Sequence, residues 1–353
     1  MSIRNRFLKA MRRESEDYIP RGIRLCNAQV DRFEKEYGHR DYSREWRLPV
    51  QDAPLPFHAT AHDFSRWIGS VNGKTTVDEW GIGHESSDEG ANLGSYIHPM
   101  ANMTSLAEIK DYPFPSAAKT GDVEVCCNKI FAIKQNDMVS SIIVAPVGGT
   151  IFWPAYKMRG MENLLCDFYQ NPDIAEYLLD TVTDLCVRQA AAAASAKPDI
   201  MHLADDFGTQ ISTYVSPDIF KKWFKPRLAA VISAAKKIHP EVMIFFHSDG
   251  AIQDFIPDFI EIGVDILNPL QPECMDPVEI KKKYGSRLSF NGCLGTQTTL
   301  PFGTPDDVRK QTRYYCEEMG RGGGFWIAPT HLVEPEVPWE NILAFIKTTG
   351  EYE

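Results

Sequence analysis

The sequence predicts an α/β protein whose fold is a (β/α)8 TIM barrel with an N-terminal elaboration. From about residue 138 onward, six short apolar runs are each followed by polar residues and then by a segment with apolar residues three or four apart. Strands that alternate with helices pair in parallel, and six such units in series favour a barrel over a doubly wound sheet. The glycine fingerprint of a dinucleotide-binding sheet is missing, because Gly322-Gly323-Gly324 precedes its strand.

The individual elements can be placed along the chain from these patterns. The predicted strands lie within 138–148, 199–206, 241–250, 264–273, 287–295 and 324–331, and the amphipathic helical segments are 159–169, 172–196, 216–237, 251–262, 276–284 and 305–319. Two helix starts are marked, because Ser216 and Thr304 each place an N-cap residue before a proline at the first helical position.

The first 137 residues follow a different pattern. Helices at about 2–14 and near 27–37 flank the run 18–25, which is predicted to be the first barrel strand. The runs 73–85 and 94–100 are rich in glycine and aromatic residues and are typical of a hairpin or small sheet. We therefore expect a single domain over 1–353, in which 45–115 is an inserted cover over one mouth of the barrel.

Composition and charge exclude several classes of function. Lys and Arg number 37 against 48 Asp and Glu, a formal net charge of −11, and no basic stripe is present, which excludes a nucleic-acid partner. No apolar stretch is long enough for a membrane span and the start lacks a signal-peptide core, so the sequence predicts a cytoplasmic protein with no membrane partner. The eight cysteines have no framework spacing and are expected to be reduced.

Polar side chains follow the predicted strands at the points where the strands end. In a barrel these positions meet at the C-terminal mouth, where barrel enzymes assemble their sites. Structural roles explain single members: an aspartate can cap a helix, a histidine can be a hydrogen-bonded structural group, and a lone cysteine can fill the core. The coincidence of the whole set favours a functional cluster, whose members are Asp205, Asp206, His247, Asp249, Asn268, Gln271, Glu273, Cys293 and His331.

The chain also resembles the uroporphyrinogen decarboxylase superfamily, in its decarboxylase-like branch that includes corrinoid-dependent methyltransferases. The matching motifs occur in order along nearly the whole chain: "RNRFLKAMRRESEDYIP", "VDEWG", "ADDFGTQ", "FFHSDG", "GVDILNPLQPECMDP", "NGCLGTQ" and "GGGFWIAPTH". The resemblance implies a (β/α)8 barrel. True uroporphyrinogen decarboxylases carry Arg-Gln-Ala-Gly-Arg after the opening proline, and Arg21 and Arg24 after Pro20 do not match that spacing.

The resemblance to methyltransferases that act on coenzyme M implies a zinc site. Those relatives bind zinc through a His-x-Cys after one strand and a later Cys; here His247 matches the histidine, Asp249 replaces the first cysteine, and His331 lies close to the second. Cys293 offers one sulfur in addition. Zinc accepts N, O and S donors, and a harder N/O site is the stronger Lewis acid toward an ether oxygen.

These points predict a zinc-dependent methyltransferase of O-demethylase type, which moves a methyl group between a small methylated substrate, such as an aryl methyl ether, and a corrinoid protein. No cobalamin-binding Asp-x-His-x-x-Gly signature is present, so the corrinoid is expected on a separate chain. Asp206 or Glu273 would supply a proton or orient the substrate. Asp205, Asn268 and Gln271 are expected to contact the substrate.

The sequence is also compatible with two other functions and with a homodimer. The first alternative is a metal-free decarboxylase-like lyase acting on a tetrapyrrole or related acid, with Asp205 or Asp206 against pyrrole nitrogens. The second is a non-enzymatic corrinoid or tetrapyrrole binder. A homodimer is also left open.

Overall fold

The computed structural model describes residues 1–61, 63–69, 71, 75–86, 94–135 and 142–352. Residues 138–141 of the first predicted run and 73–74 of the predicted hairpin lie outside this set. The described strands form two sheets. In chain order they are β1 (Val50–Asp52), β2 (Thr75–Val77), β3 (Gly83–Ser86), β4 (Gly94–Ile97), β5 (Ile142–Gly149), β6 (Ile200–Ala204), β7 (Met243–His247), β8 (Ile266–Leu270), β9 (Ser289–Leu294) and β10 (Phe325–Pro329).

The larger sheet has seven parallel strands in the order β1-β5-β6-β7-β8-β9-β10. Next to β10, the segment 21–25 forms parallel bridges from Arg21 to Ile327 and from Leu25 to Val333. With this segment the parallel sheet has the eight strand positions of a (β/α)8 barrel, as the sequence predicted.

Helices follow the strands of the larger sheet along the chain, and further helices belong to the N-terminal part. They are Ile3–Met11, Asn27–Tyr37, Tyr42–Glu45, Ser65–Ile68, Leu106–Lys110, Thr120–Gln135, Phe152–Arg159, Met161–Gln170, Pro172–Ser195, Pro217–Ile219, Lys225–Ile238, Ile256–Ile262, Pro277–Tyr284, Thr299–Phe302, Pro305–Gly320 and Trp339–Thr349, with a π turn at Phe220–Phe224 and 3-10 turns at Gln253–Phe255 and Gly350–Tyr352. No described helix is long and apolar enough to cross a membrane.

One helix differs from the pattern that predicted it. A single segment was expected over 159–169, but the structure has Met161–Gln170 and a separate preceding helix, Phe152–Arg159. Gly160 divides the two because its φ of 84° cannot continue a right-handed helix and suits glycine. The extra helix matters for the site, because it carries Lys157 toward the barrel mouth.

The barrel interior is apolar at its N-terminal end. Ile200, Met243 and Ile266 alternate with outward residues along their strands and form a floor. Phe7 and Met11 of the first helix pack against this floor, and the helix therefore closes the bottom of the barrel. The opposite end, where the strands finish, is the end that carries polar side chains.

The smaller sheet, antiparallel β2-β3-β4, belongs to the N-terminal elaboration. Tyr96 of β4 places its ring centroid 2.9 Å from the Lys157 ammonium nitrogen. His98 Nδ1 lies 2.6 Å from the Lys157 carbonyl oxygen. That 45–115 covers one mouth stays a prediction, and these contacts place one edge of it against the helix that follows β5. Within that range, however, Val50–Asp52 is β1 of the larger sheet and so belongs to the barrel.

Candidate metal centre

The ends of β6 and β7 bring an imidazole and two carboxylates together. His247 is the last residue of β7, and Asp206 and Asp249 each lie two residues beyond the end of their strand. Because Ala204 pairs in register with His247, the two loops leave the sheet side by side. One ligand atom from each of the three residues lies within 4.8 Å of the others, a grouping identified among the described residues.

The separate distances show how the three groups are arranged. His247 Nε2 lies 3.5 Å from Asp206 Oδ1 and 3.6 Å from Asp249 Oδ2. The Asp249 backbone N–H donates a 3.1 Å hydrogen bond to Asp206 Oδ1, which ties the two loops together. All three side chains are partly exposed, so the group is reachable from solvent.

A hydrogen-bond chain fixes the orientation of the His247 ring. Asn291 Nδ2 donates to the Trp326 carbonyl oxygen at 2.9 Å, and a carbonyl can only accept. The Asn291 amide oxygen therefore faces Asn268 Nδ2 at 2.7 Å, and the Asn268 amide oxygen faces His247 Nδ1 at 2.5 Å. Nδ1 must then carry the hydrogen in this bond, which directs Nε2 toward the carboxylates and suits it to ligate a metal when that nitrogen is deprotonated.

The charges of the three groups are coupled. Burial alone lowers the pKa of His247, but contact with Asp249 and the negative charge of Asp206 outweigh it and raise that pKa to about 9. Burial would raise the pKa of Asp249, yet its contact with His247 and the charge of His331 hold it below the usual value. Two acidic groups thus stabilise a positive charge at this position.

The residues present fit a divalent cation such as zinc. Asp249 Oδ1 is buried and has no hydrogen-bond partner among the described residues, which is costly for a carboxylate oxygen unless a cation or water meets it. Imidazole nitrogen and carboxylate oxygens are common zinc ligands, and three protein ligands is the number used by catalytic zinc sites.

Asp205 has a different environment from its neighbour Asp206. Its buried carboxylate accepts hydrogen bonds from the Ile151 and Trp153 backbone N–H groups at 2.8 to 3.1 Å. Burial raises the pKa of Asp205 to about 7 in spite of these hydrogen bonds. The predicted substrate contact of Asp205 stays a prediction; in the structure this carboxylate holds the start of the helix Phe152–Arg159. The capping alternative expected the helix that follows Asp205, whereas the helix start held here precedes it in the chain.

Cys293 and His331 lie outside the group of three. Cys293 is fully buried on the side of the helix Pro305–Gly320, and burial raises the pKa of its thiol well above the usual value, with Cys316 adding to the effect. His331 is exposed and lines the same cavity as His247. Among the described residues, the cluster of possible ligand atoms contains neither Cys293 nor His331. Zinc ligation by either residue therefore stays a prediction.

Gln271 and Glu273 hold the loops around the mouth. The Gln271 amide oxygen accepts the Gly250 N–H. Glu273 Oε1 accepts from Thr298 Oγ1 at 3.0 Å and from the Gln297 N–H at 3.3 Å. Asn268 contacts His247 directly, as described above, so among these residues it has the closest link to the group of three.

Two residues near the site had not been predicted. His202 lies inside β6, where the alternation with Ala204 points it into the barrel, a signal that the sequence contains. Lys157 lies on the unexpected helix; burial lowers its pKa to about 8, although Asp206 attracts its charge. Its ammonium is surrounded by the rings of Tyr96, Tyr156 and Trp153.

Known proteins similar to this chain include both methyltransferases and decarboxylases. The chain is 26% identical over 180 residues to the Methylcobamide:CoM methyltransferase MtaA of Methanosarcina barkeri; this match covers 51% of the chain and only 50% of that relative's length. It is 21% identical over 362 residues to a uroporphyrinogen decarboxylase of Actinobacillus succinogenes, covering 99% of the chain and 97% of the relative.

A solved structure shares the fold along the whole chain. It is a methyltransferase from Methanosarcina mazei, 18% identical, with a TM-score of 0.69 and coverage of 100% of this chain and 99% of that one. The family model described as Uroporphyrinogen decarboxylase (URO-D) matches residues 3–352. The chain therefore belongs to the uroporphyrinogen decarboxylase (URO-D) family.

Proposed function

We propose that this protein is a zinc-dependent methyltransferase that moves a methyl group between a small methylated substrate and a corrinoid carried by a separate protein. The observation that carries the proposal is the group Asp206, His247 and Asp249, in which Asn268 directs the His247 Nε2 atom toward the two carboxylates. The similarity to a methylcobamide methyltransferase supports the type of reaction.

Zinc held by these three residues would supply a Lewis acid that polarises the substrate atom bonded to the methyl group. His247 would hold the ion through Nε2, and Asn268 keeps the ring oriented. Asp206 and Asp249 would contribute hard oxygen donors. Oxygen and nitrogen donors without a thiolate favour an oxygen-bound methyl group, as in an aryl methyl ether, over a thiol.

Of the two acids expected to orient the substrate or move a proton, Asp206 is the better placed. It lies in the group of three with a partly exposed carboxylate. Glu273 instead bonds to the loop residues Gln297 and Thr298 and shapes the rim of the mouth. We therefore assign Asp206 to the substrate side of the site and Glu273 to the rim.

A metal-free decarboxylase-like lyase is the second candidate, favoured by the match over 97% of a uroporphyrinogen decarboxylase. Two features count against it. The Arg21 guanidinium donates to the carbonyl oxygens of Ile346 at 2.9 Å and Trp46 at 2.6 Å, so it is committed to the fold. Asp205 is likewise committed to a helix start, which leaves Asp206 for pyrrole nitrogens.

The test combines a metal measurement with two assays. We expect about one zinc per chain after zinc-supplemented expression. We also expect methyl transfer from aryl methyl ethers to reduced cobalamin, followed by its change in absorbance. Less than about a tenth of an equivalent of zinc, with activity unaltered in His247→Ala, would remove the metal from the proposal. Release of carbon dioxide from a porphyrinogen without methyl transfer would establish the lyase instead.

A further inference from the structure

Lys157 is a buried cation near the candidate metal centre that does not belong to the group of three. Only 7% of its surface is exposed, and burial lowers its pKa to about 8, although the charge of Asp206 opposes this effect. A lysine with that pKa is still an ammonium at neutral pH. Because buried charges normally meet an opposite charge or several hydrogen bonds, the surroundings of this ammonium indicate its role.

Aromatic rings are the groups that the described residues place around this ammonium. Its nitrogen lies 2.9 Å from the ring centroid of Tyr96, 5.1 Å from that of Tyr156 and 5.5 Å from that of Trp153. No hydrogen bond or ion pair joins it to another described residue. A ring face attracts a cation but offers no lone pair, so the N–H groups of the ammonium stay available to an acceptor. All three rings are partly exposed, which leaves room for a ligand beside them.

The backbone that carries Lys157 is held from two sides. At the start of its helix, the Asp205 carboxylate accepts the Trp153 N–H at 2.8 Å. Near the end of the helix, His98 Nδ1 lies 2.6 Å from the Lys157 carbonyl oxygen. Because Asp206 follows Asp205 directly, the contact that holds this helix also ties the cation to the loop that carries a candidate metal ligand.

The negative charge of Asp206 acts on the whole cluster of cation and rings. It attracts the Lys157 ammonium. Burial, with the charge of Asp206 as a smaller cause, raises the pKa of Tyr96 and of Tyr156, so both stay neutral phenols. One ammonium and two phenolic hydroxyl groups therefore lie within the electrostatic reach of the carboxylate beside His247. Fixed positive charge and O–H donors are the groups that stabilise an oxygen atom on which negative charge develops.

The proposed methyl transfer creates such an oxygen atom. The reaction breaks the bond between the methyl carbon and its oxygen, and the bonding electron pair stays on the oxygen. The methyl carbon forms its new bond to the Co(I) ion of the corrinoid, which supplies both electrons and is oxidised to Co(III). The oxygen therefore leaves as an anion, and a cation beside it lowers the barrier to the transfer.

We propose that Lys157 is a further catalytic residue, whose ammonium donates a hydrogen bond to the oxygen that loses the methyl group. The inference rests on the proposed function for the identity of the reaction. It accounts for a lysine that is surrounded by rings and has no acidic partner among the described residues, because a paired carboxylate would cancel the charge that the departing oxygen requires. The rings keep the ammonium in place without offering a competing acceptor.

The first test measures anion stabilisation directly with 4-nitrophenol, whose ionised form has its own visible absorbance. The absorbance of the bound probe is followed across pH, and the zinc content of each sample is measured. We expect the wild-type protein to favour the bound phenolate over the bound phenol by at least about tenfold, a shift of about one pKa unit. Lys157→Met keeps a long side chain but removes the charge, so it should lose this preference while its zinc content stays unchanged.

Lys281→Met is the matched control for this measurement. Lys281 is also half-buried, burial lowers its pKa to about 8 as well, and its ammonium donates to the Gly323 carbonyl oxygen, which precedes β10. This variant should ionise the bound probe as the wild type does. Melting temperatures establish that both variants fold. The wild-type measurement is decisive by itself, because the unaltered protein must already ionise the bound probe.

The second test varies how well the departing oxygen carries its charge. Methyl transfer to reduced cobalamin is measured with anisole and with 4-nitroanisole. Lys157→Met should lower kcat by about a hundredfold with anisole, the size typical of a lost anion-stabilising donor. The loss with 4-nitroanisole should be at least about tenfold smaller, since the nitro group already spreads the negative charge. A purely structural role of Lys157 would give equal losses with both ethers.

The two proposals fail separately in this design. No bound phenolate in the wild type, an unchanged preference in Lys157→Met, or equal losses of kcat with the two ethers would overturn the catalytic role of Lys157. Ionisation of the probe that depends on Lys157, without methyl transfer from either ether, would refute the proposed function and leave Lys157 as a group that binds an anionic oxygen.

Discussion

Two layers of the barrel interior, one above the other, hold histidines with opposite properties. His247 at the mouth and His202 one layer below lie on neighbouring strands, with ring centroids 6.3 Å apart. The pKa of His247 is raised to about 9 and that of His202 is lowered to about 3. His247 has Asp206, Asp249 and Asn268 beside it, whereas His202 packs edge-on against Phe245 and faces the charge of Arg24.

The difference shows that the environment, and not the residue type, decides what each layer can bind. The carboxylates make the mouth a place for positive charge, either a proton or a metal ion. One layer below, burial and the charges of His247 and Arg24 favour a neutral ring at His202.

Removing the imidazole should have the largest effect on this contrast. His247→Ala deletes the nitrogen ligand, so we expect zinc below about a tenth of an equivalent and methyl transfer reduced by at least about a thousandfold. Zinc is measured by plasma mass spectrometry and the melting temperature confirms folding. His239→Ala, whose Nε2 contacts the Pro198 carbonyl oxygen away from the mouth, should keep full zinc. Normal zinc in His247→Ala would refute the candidate centre.

Uncoupling His247 from its hydrogen-bond chain should have a smaller effect. Asn268→Leu leaves Nδ1 without its acceptor and frees the ring, and loss of such a partner typically weakens metal binding by about 10–100-fold. Competition with a zinc chelator measures the affinity. Asn341→Leu is the matched control, because it removes another buried amide, bonded to the carbonyls of Leu300 and Gly303, and should cost stability without changing zinc affinity. Equal effects in the two variants would contradict the orienting role of Asn268.

Most of the architecture was predictable because buried parallel strands are continuous apolar runs that end on polar residues. Each of the six predicted runs overlaps a barrel strand of the described chain, His247 ends β7, and Asp206 and Asp249 follow β6 and β7. The sequence analysis did not predict His202 as a site residue, because it lies inside the apolar run of β6 and not at the end of the strand. Strand alternation alone would have placed it inside the barrel.

Other features of the site depend on backbone details that the sequence does not reveal. The β8–β9 pairing shifts register between Leu267 and Leu270, and Gly292 and Cys293 both have positive φ. Cys293 therefore lies near Cys316 instead of the mouth. Asp205 and Asp206 are adjacent and identical in type, so the sequence cannot distinguish their roles. Loop geometry places Asp205 at the start of a helix and Asp206 beside Asp249.

The pH dependence of zinc binding and of the histidine resonances tests the difference in pKa between His247 and His202. Because the pKa of His247 is about 9 in the metal-free protein, zinc must displace a proton at neutral pH. Apparent zinc affinity should rise about tenfold per pH unit up to pH 9 and then level off. Histidine resonances in a pH titration should show His247 titrating near pH 9 and His202 not titrating above pH 4. Asp249→Asn should lower the pKa of His247. Titration of both rings near their ordinary pKa would remove the contrast.

The smallest expected effect on the metal comes from Cys293. Its thiol is buried against the helix Pro305–Gly320 and does not line the cavity, so Cys293→Ala should leave zinc content and affinity unchanged. The variant should still lower the free energy of unfolding by about 1 kcal/mol, because it removes a packed side-chain atom from the core. Chemical denaturation measures the stability and chelator competition measures the affinity. A loss of zinc affinity larger than that caused by Cys316→Ala, its buried neighbour, would mean that the thiol turns toward the metal and that the centre includes a sulfur ligand.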